Sequence, residues 1–480
     1  MGKKYKLWAH QIEGIRRSLE QDTFALFFEV GTGKSATAIR SLCERMNLLR
    51  RNLRVLVFCP PVVCVNWKRE FAKFSDIDQS KIQVLNGSGK ERLEILKKRK
   101  AQIYVTNFEA LLMKDLFEEM KKFAPEFIIF DEAHKLKSPQ AARSKKAAEL
   151  ADLAKYKLIL TGTPILQSTM DLFQEFRVLD GGQTFGKNFF TFRAKYFMDK
   201  NARMPAHIHF PDWVVKPTSM LAFNEIIHAR GAVARKADCL DLPPLIRKRV
   251  EVAMGNKQAR AYESMRKDFV AFMDGGTAVA QLAITKALRL QQIVSGFVRC
   301  ESEGAGSEND VHFDDNPRID ALRSVLEEIF EQGQKVIIWA VFHENYAQIR
   351  KLLESMKVQY VQLHGDINGN KRQEYVDDFN NKSEVMALIG HPGSGGVGVN
   401  LIAASYSVYY SRGFSLEFDL QSEARNYRAG SERHEKITRI DLVAPNTIDD
   451  LILERLSNKQ GISDKVLREI VEELKNVKDT

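Results

Sequence analysis

Residues able to handle a phosphate ester stand at two places early in the chain. The first is Gly31-Thr32-Gly33-Lys34-Ser35. In a glycine turn of this kind, backbone N–H groups and the start of the next helix converge on one point where phosphate can sit. Lys34 adds a positive charge for the β- and γ-phosphates, and Ser35 a hydroxyl for magnesium. The strict phosphate-loop pattern has glycine five positions before Gly33, where this chain has Phe28. Read by itself, the turn also fits a plain strand-to-helix connection. The second place is Asp131-Glu132-Ala133-His134, delivered by the apolar run Phe127-Ile128-Ile129-Phe130. Adjacent carboxylates at a strand end are costly to bury unless they meet a metal or another partner. With a phosphate loop upstream, Asp131 is placed to hold magnesium through Ser35 and water. Glu132 is placed to orient the attacking water.

A third set lies far along the chain. Gln421, Arg425 and Arg428 fall at intervals of four and three on a helix expected over 417–428, so they share one face. That face suits a solvated surface as well as a site. Gly393, Gly395 and Gly398 spell a literal GxGxxG. A dinucleotide site would need an acidic residue closing the next strand, and Ser411-Arg412 stand there instead. Gln11, on the first helical stretch, reads alone as an ordinary exposed glutamine.

The elements that must position these residues follow from periodicity. Apolar runs at 24–28, 55–59, 103–105, 127–130 and 157–160 alternate with helical patterns, which predicts a parallel, doubly wound sheet. A second alternating block has strands expected at 335–342, 359–363, 385–389 and 407–410. The fold class is therefore α/β, with two parallel-sheet lobes and a helical insertion between them. The expected divisions are a lobe carrying the phosphate loop over 1–180, helical insertion and connector over 181–300, and an acidic mobile loop over 301–315. A second lobe over 316–445 and C-terminal helices over 446–480 complete the chain. Trp67, Phe71 and Phe74 sit at spacings of four and three, which suits core packing.

A chain of 480 residues exceeds one core. Its 44% apolar and 28% charged content is that of a globular protein, with no apolar run long enough for a membrane span. The start, MGKKYKLW, lacks the apolar core of a signal peptide, so an intracellular protein is expected. Five cysteines form no CxxC pair and no cluster with histidine, which argues against zinc and fits a reducing compartment. A formal charge of +10 points weakly to a polyanionic partner.

In order, these segments resemble the motif series of superfamily 2 helicase-type ATPases, and most closely the Swi/Snf-like DNA translocases. Leu7 to Gln11 is similar to the adenine-reading motif, which gives Gln11 a role in binding ATP. GTGKS resembles the first motif, and the family also lacks the early glycine. Cys59-Pro60-Pro61, Asn66-Trp67 and Phe71 resemble a segment whose backbone lines the DNA path. DEAHKLKS resembles the second motif, a DEAH box. Leu160 to Pro164, LTGTP, resembles the third. His391 to Leu401 is similar to the fifth, which touches DNA, and Gln421 to Gly430 to the sixth.

The resemblance implies an ATP- and magnesium-dependent DNA translocase that acts on duplex DNA through its phosphates, at a cleft between two RecA-like lobes. Its expected catalytic residues are Lys34, Glu132, Arg425 and Arg428. ATP would be held by Gln11, Gly31, Thr32, Gly33, Lys34, Ser35 and Gln421, and magnesium by Ser35 and Asp131. His134, Thr161, Gly162 and Thr163 would couple the motifs. Pro60, Trp67, Thr106, Asn107, Ser394, Gly395 and Gly396 would lie along DNA. A monomer with no membrane association is expected, cytoplasmic in a bacterium or virus and nuclear in a eukaryote. A strand-separating helicase and an ATP-switched DNA-binding scaffold are the alternatives. The sequence departs from the family pattern at Leu166-Gln167, Ser411 and Ser431.

Overall fold

The computed structural model describes residues 6–162, 169–204, 211–274, 280–300, 309–365, 367, 369–393 and 399–458. The chain divides into two compact units, Met1–Leu240 and Asp241–Thr480. In the first, the strands are β1 (Thr23–Phe28), β2 (Val55–Cys59), β3 (Ile82–Val84), β4 (Ile103–Asn107), β5 (Phe127–Asp131), β6 (Tyr156–Thr161), β7 (Phe197–Asp199), β8 (Trp213–Val215) and β9 (Gly231–Ala234). Seven of them make one parallel sheet in the order β3-β4-β2-β5-β6-β1-β9. Every residue of β2, β5 and β6 is buried, as expected of strands covered by helices on both faces. Phe58 and Phe130 stack at 5.3 Å between ring centroids, locking neighbouring β2 and β5.

Because all these strands run the same way, their carboxyl ends share one edge of the sheet. Along that edge stand Asn107, Cys59, Asp131, Thr161, Phe28 and Ala234, in the order of their strands. This is where an open parallel sheet takes its ligands.

The 181–300 stretch is not helical throughout. Its helices Phe189–Tyr196 and Met220–Arg230 pack an aromatic cluster in which Phe185 and Phe192 lie 5.0 Å apart. It also carries the antiparallel pair β7–β8 and supplies β9 to the first sheet.

The second unit contains β10 (Leu245–Glu251), β11 (Phe297–Cys300), β12 (Asn309–His312), β13 (Val336–Trp339), β14 (Gln359–Leu363), β15 (Val385–Gly390), β16 (Tyr406–Tyr409) and β17 (Ile437–Val443). Its six-stranded parallel sheet runs β10-β17-β16-β13-β15-β14. Successive residues of β13 feed opposite cores. Val336 and Ile338 pack with the helices Pro317–Glu331 and His343–Ser355, while Ile337 and Trp339 pack with Val376 and Phe379. At the edge, β10 exposes Arg247, Lys248 and Arg249, charges that discourage pairing with a further strand. Of the segment expected as a mobile acidic loop, 301–308 lies outside the described residues, and β12 pairs antiparallel with β11. The helix Ile448–Ser457 packs its Ile448, Leu451 and Ile452 into the core of this unit. Residues 459–480 lie outside the described residues.

Candidate active site

The first unit builds its site from three adjacent strand ends. After β1 the chain turns through Gly31 and Gly33, at φ +93° and +83°, a left-handed backbone that glycine adopts without penalty. Gly33 is the residue before the helix Lys34–Leu49. Lys34 is buried, and its ammonium donates to the Phe28 carbonyl at 3.0 Å. Thr32 is buried, and its hydroxyl donates to the Glu29 carbonyl at 2.8 Å. Ser35, next along the helix, is half-buried.

The turn is also gripped from the amino-terminal helix Ala9–Leu19. Gln11 donates from Nε2 to the Gly33 carbonyl at 3.3 Å and accepts from the Trp8 N–H at 2.9 Å. His10 Nε2 lies 2.8 Å from the Thr32 carbonyl. Gln11, an ordinary surface residue on local pattern alone, is 4% exposed. On the other side Glu29 donates its N–H to Ala234 and accepts the Lys236 N–H at 2.8 Å. The sequence offered no sign of that anchor, because β9 is a short edge strand without alternation.

Two strand spacings from β1, about 10 Å away, β5 ends in Asp131 and Glu132. Asp131 is buried, and its Oδ2 accepts the indole N–H of Trp67 at 2.9 Å. Burial, then the charge of Glu132, push Asp131 up to about 7, against the opposing pull of Lys34 and the Trp67 N–H. Glu132 has φ +54° and ψ +53°, a left-handed conformation unusual for a side chain other than asparagine, aspartate or glycine. Backbone strain of this kind gathers at functional sites. Buried His134 lies 3.4 Å from Glu132 Oε2 through Nδ1. Nearby Glu175, on the helix Leu172–Asp180, is raised by burial to about 7, moderated by His134.

Between these two ends stands β6. Thr161 is buried, and a Cβ on Gly162 would lie 2.7 Å from Lys34 Nζ, so glycine there leaves room for the ammonium. Thr163 lies outside the described residues. The hydroxyl and carboxylate of Ser35 and Asp131 are hard oxygen donors of the kind magnesium takes.

The second unit builds its own set. The helix expected over 417–428 is shorter, Leu416–Glu423. Past its end the Arg425 carbonyl accepts the Leu401 N–H at 3.0 Å, a bond to another loop that a continuing helix would use internally. Arg425 and Arg428 therefore do not extend one helical face with Gln421. Their guanidiniums still converge, donating to the Val399 carbonyl at 3.2 and 3.5 Å. Gln421 is 3% exposed; its amide donates to Glu417, and its Oε1 has no partner among the described residues. Behind this set a buried ion network joins Arg412 and Arg439 to Asp419, Glu423 and Asp441. Burial alone would raise Asp419, but the two guanidiniums outweigh it and hold the carboxyl below its usual range. Ser411 accepts the Val341 N–H at 3.0 Å and donates to Asn345 at 2.8 Å.

A SNF2-related domain matches residues 10–296, and a helicase conserved C-terminal domain matches residues 318–430. The chain belongs to the SNF2-related family. Similar relatives include "Uncharacterized ATP-dependent helicase MG018" of Mycoplasma genitalium, 25% identical over 473 residues that cover 98% of this chain and 43% of that protein. "Chromodomain-helicase-DNA-binding protein 1-like" of Mus musculus is 23% identical over 481 residues, covering 96% of this chain and 50% of that protein. The chain thus spans half or less of the length of these relatives. A solved structure, "Sulfolobus solfataricus SWI2/SNF2 ATPase core in complex with dsDNA", is 22% identical and covers 99% of this chain and 97% of its own, with a TM-score of 0.44.

Among the SNF2-type residues expected along DNA, Pro60 is buried and Thr106 is fully buried, its hydroxyl without a partner among the described residues. Asn107 caps the short helix Phe108–Leu112, accepting the Ala110 N–H at 3.2 Å, and also accepts from Arg92 at 3.0 Å. The Trp67 side chain is 1% exposed and committed to Asp131. Ser394, Gly395 and Gly396 lie outside the described residues. Among the described residues, no helix is long and apolar enough to cross a membrane.

Proposed function

We propose that this SNF2-family chain hydrolyses ATP with magnesium and uses the cycle to move along duplex DNA. The observation that carries this reading is the meeting of three strand ends. Lys34 lies against Gly162 at β6, and Asp131 with left-handed Glu132 follows on the neighbouring strand. In this reading the turn from Gly31 to Ser35 binds the phosphates, with Lys34 neutralising the outer ones. Ser35 and Asp131 hold magnesium, which when bound neutralises developing charge on the phosphates. Glu132 orients the attacking water and takes its proton, and Gln11 ties the adenine end to the turn.

Arg425, Arg428 and Gln421 supply the second half of the machinery from the second unit. Hydrolysis then requires residues of both units, and an arginine offered in this way is worth roughly 10³–10⁵ in rate in related phosphoryl-transfer enzymes. Duplex DNA would be gripped mainly through phosphates, by lysine, arginine and backbone N–H groups. Affinity should therefore fall with salt and show little sequence preference. The net charge of +10 and the DNA-binding helicases among the relatives support that partner.

The test is steady-state ATP hydrolysis without DNA and with duplex, single-stranded and branched DNA. Strand-displacement and triplex-displacement assays run beside it. Stimulation by duplex with triplex displacement is the expected result. Strand displacement without triplex displacement would assign a helicase instead, and ATP binding without turnover would assign a switched scaffold.

A further inference from the structure

The helix Cys64–Phe74 follows the Cys59-Pro60-Pro61 turn at the carboxyl end of β2, the strand paired with β5. In its first turn Trp67 is buried, with Phe71 packed beside it at 5.9 Å between ring centroids. Packing alone would accept any large apolar ring there. The polar edge is what singles out an indole. Its N–H spans 64 positions of sequence to donate to Asp131 Oδ2 at 2.9 Å. A buried indole N–H needs an acceptor, and a buried carboxylate needs donors. The bond occupies one carboxylate oxygen and fixes the rotation of the group, so Oδ1 is the oxygen left for a cation or its bound water.

We propose that Trp67 is a positioning residue for Asp131, holding the carboxylate in the one orientation that serves the metal. This inference rests on the reading of Asp131 as a magnesium-holding residue. Partners that orient ligands from behind are typically worth 10- to 100-fold in metal affinity.

The experiment uses the full chain and follows Mn2+ binding by electron paramagnetic resonance in the presence of ADP. ADP binding in EDTA and thermal unfolding are measured in parallel. Trp67→Phe keeps the ring and removes the donor. It should weaken Mn2+ about 10-fold while leaving metal-free ADP affinity within about twofold. Phe71→Leu, one turn along, controls for lost packing and should lower the melting temperature without weakening Mn2+. Wild-type Mn2+ affinity in Trp67→Phe, or equal weakening in Phe71→Leu, overturns the proposal. Should Trp67→Phe fail to fold, the indole N–H resonances of wild-type chain labelled with 15N-tryptophan decide. The Trp67 signal, identified by eliminating those of Trp8, Trp213 and Trp339 through their own variants, should shift when Mg2+ is added to the ADP complex. An unmoved signal overturns the proposal. If wild type binds ADP but no metal, the magnesium reading falls and takes this inference with it. If wild type binds metal and only the Trp67 results fail, the reading survives and the positioning role does not.

Discussion

The Gln11 amide occupies the space that a Cβ on Gly33 would need. A Cβ on Gly33 would lie 2.0 Å from Gln11 Nε2, the same atom that donates to the Gly33 carbonyl at 3.3 Å. The position is doubly reserved for glycine, since φ there is +83°. Gly33→Ala should lose about 1–2 kcal/mol to the left-handed backbone alone, and more to displacement of Gln11. Combining it with Gln11→Ala removes the obstacle but not the backbone strain, so only part of the loss should return. Thermal unfolding of the two single variants and the double variant measures the coupling. Strict additivity would show that the contact is not made.

Glu132 stands in left-handed backbone, while the role proposed for it needs only the carboxylate, and the two can be separated. Glu132→Gln keeps the shape and the conformational preference but cannot accept the proton of an attacking water. ATP should still bind, with turnover reduced by at least about 10²-fold, within the usual range for losing a general base. Glu132→Val puts a β-branched side chain where the backbone disfavours it even more than glutamate, and should lower the melting temperature. Filter-bound ATP, single-turnover rates and melting curves check each arm. Unchanged turnover in Glu132→Gln would mean that another group acts as base.

Although β17, buried along its whole length, went unread, the site was legible where doubly buried strands carry it. Such strands write apolar runs, and Phe127 to Phe130 followed by Asp131-Glu132 announces both the strand and its cargo. Among the edge strands, β14 was read at its observed bounds, 359–363, but β3, β9 and β10 were not. The sequence of β9, GAVA, is too short to show alternation, while β10 carries Arg247-Lys248-Arg249 because its edge faces water. The helix after Ser415 was read too far, to Arg428, because spacing alone cannot foresee the Arg425 carbonyl being claimed by Leu401. Gln11 and Trp67 share a different reason. Their bonds reach Gly33 and Asp131 across elements, and a single tertiary hydrogen bond leaves no period in the sequence.

Arg425 and Arg428 both donate to Val399, but they differ in burial, and that difference sorts their roles. Arg425 is 3% exposed, whereas Arg428 is only half-buried. Arg425→Ala removes a buried guanidinium together with its bond to the Val399 carbonyl, and should lower the melting temperature of the second unit. Arg428→Ala should leave folding and ATP binding nearly intact while DNA-stimulated turnover falls by roughly 10³-fold or more. Turnover at the wild-type rate in Arg428→Ala would remove that arginine from the reaction.

Glu175 offers a test by pH that does not involve the proposed metal residues. Burial raises its carboxyl from 4.5 to about 7 in the folded chain, with His134 and Lys137 pulling the other way and Asp171 adding to the rise. The native chain therefore keeps a proton that the unfolded chain releases over that interval. Stability from this group is complete below about pH 4.5 and is lost as pH rises through about 7. Glu175→Gln mimics the protonated form at every pH. The variant should match wild type near pH 4.5 and exceed it by about 3 kcal/mol above neutrality. Denaturant midpoints of both proteins in metal-free buffer, taken across this range, isolate the effect from every other titrating group. A difference that stays constant with pH would place the Glu175 carboxyl in contact with water rather than inside the first unit.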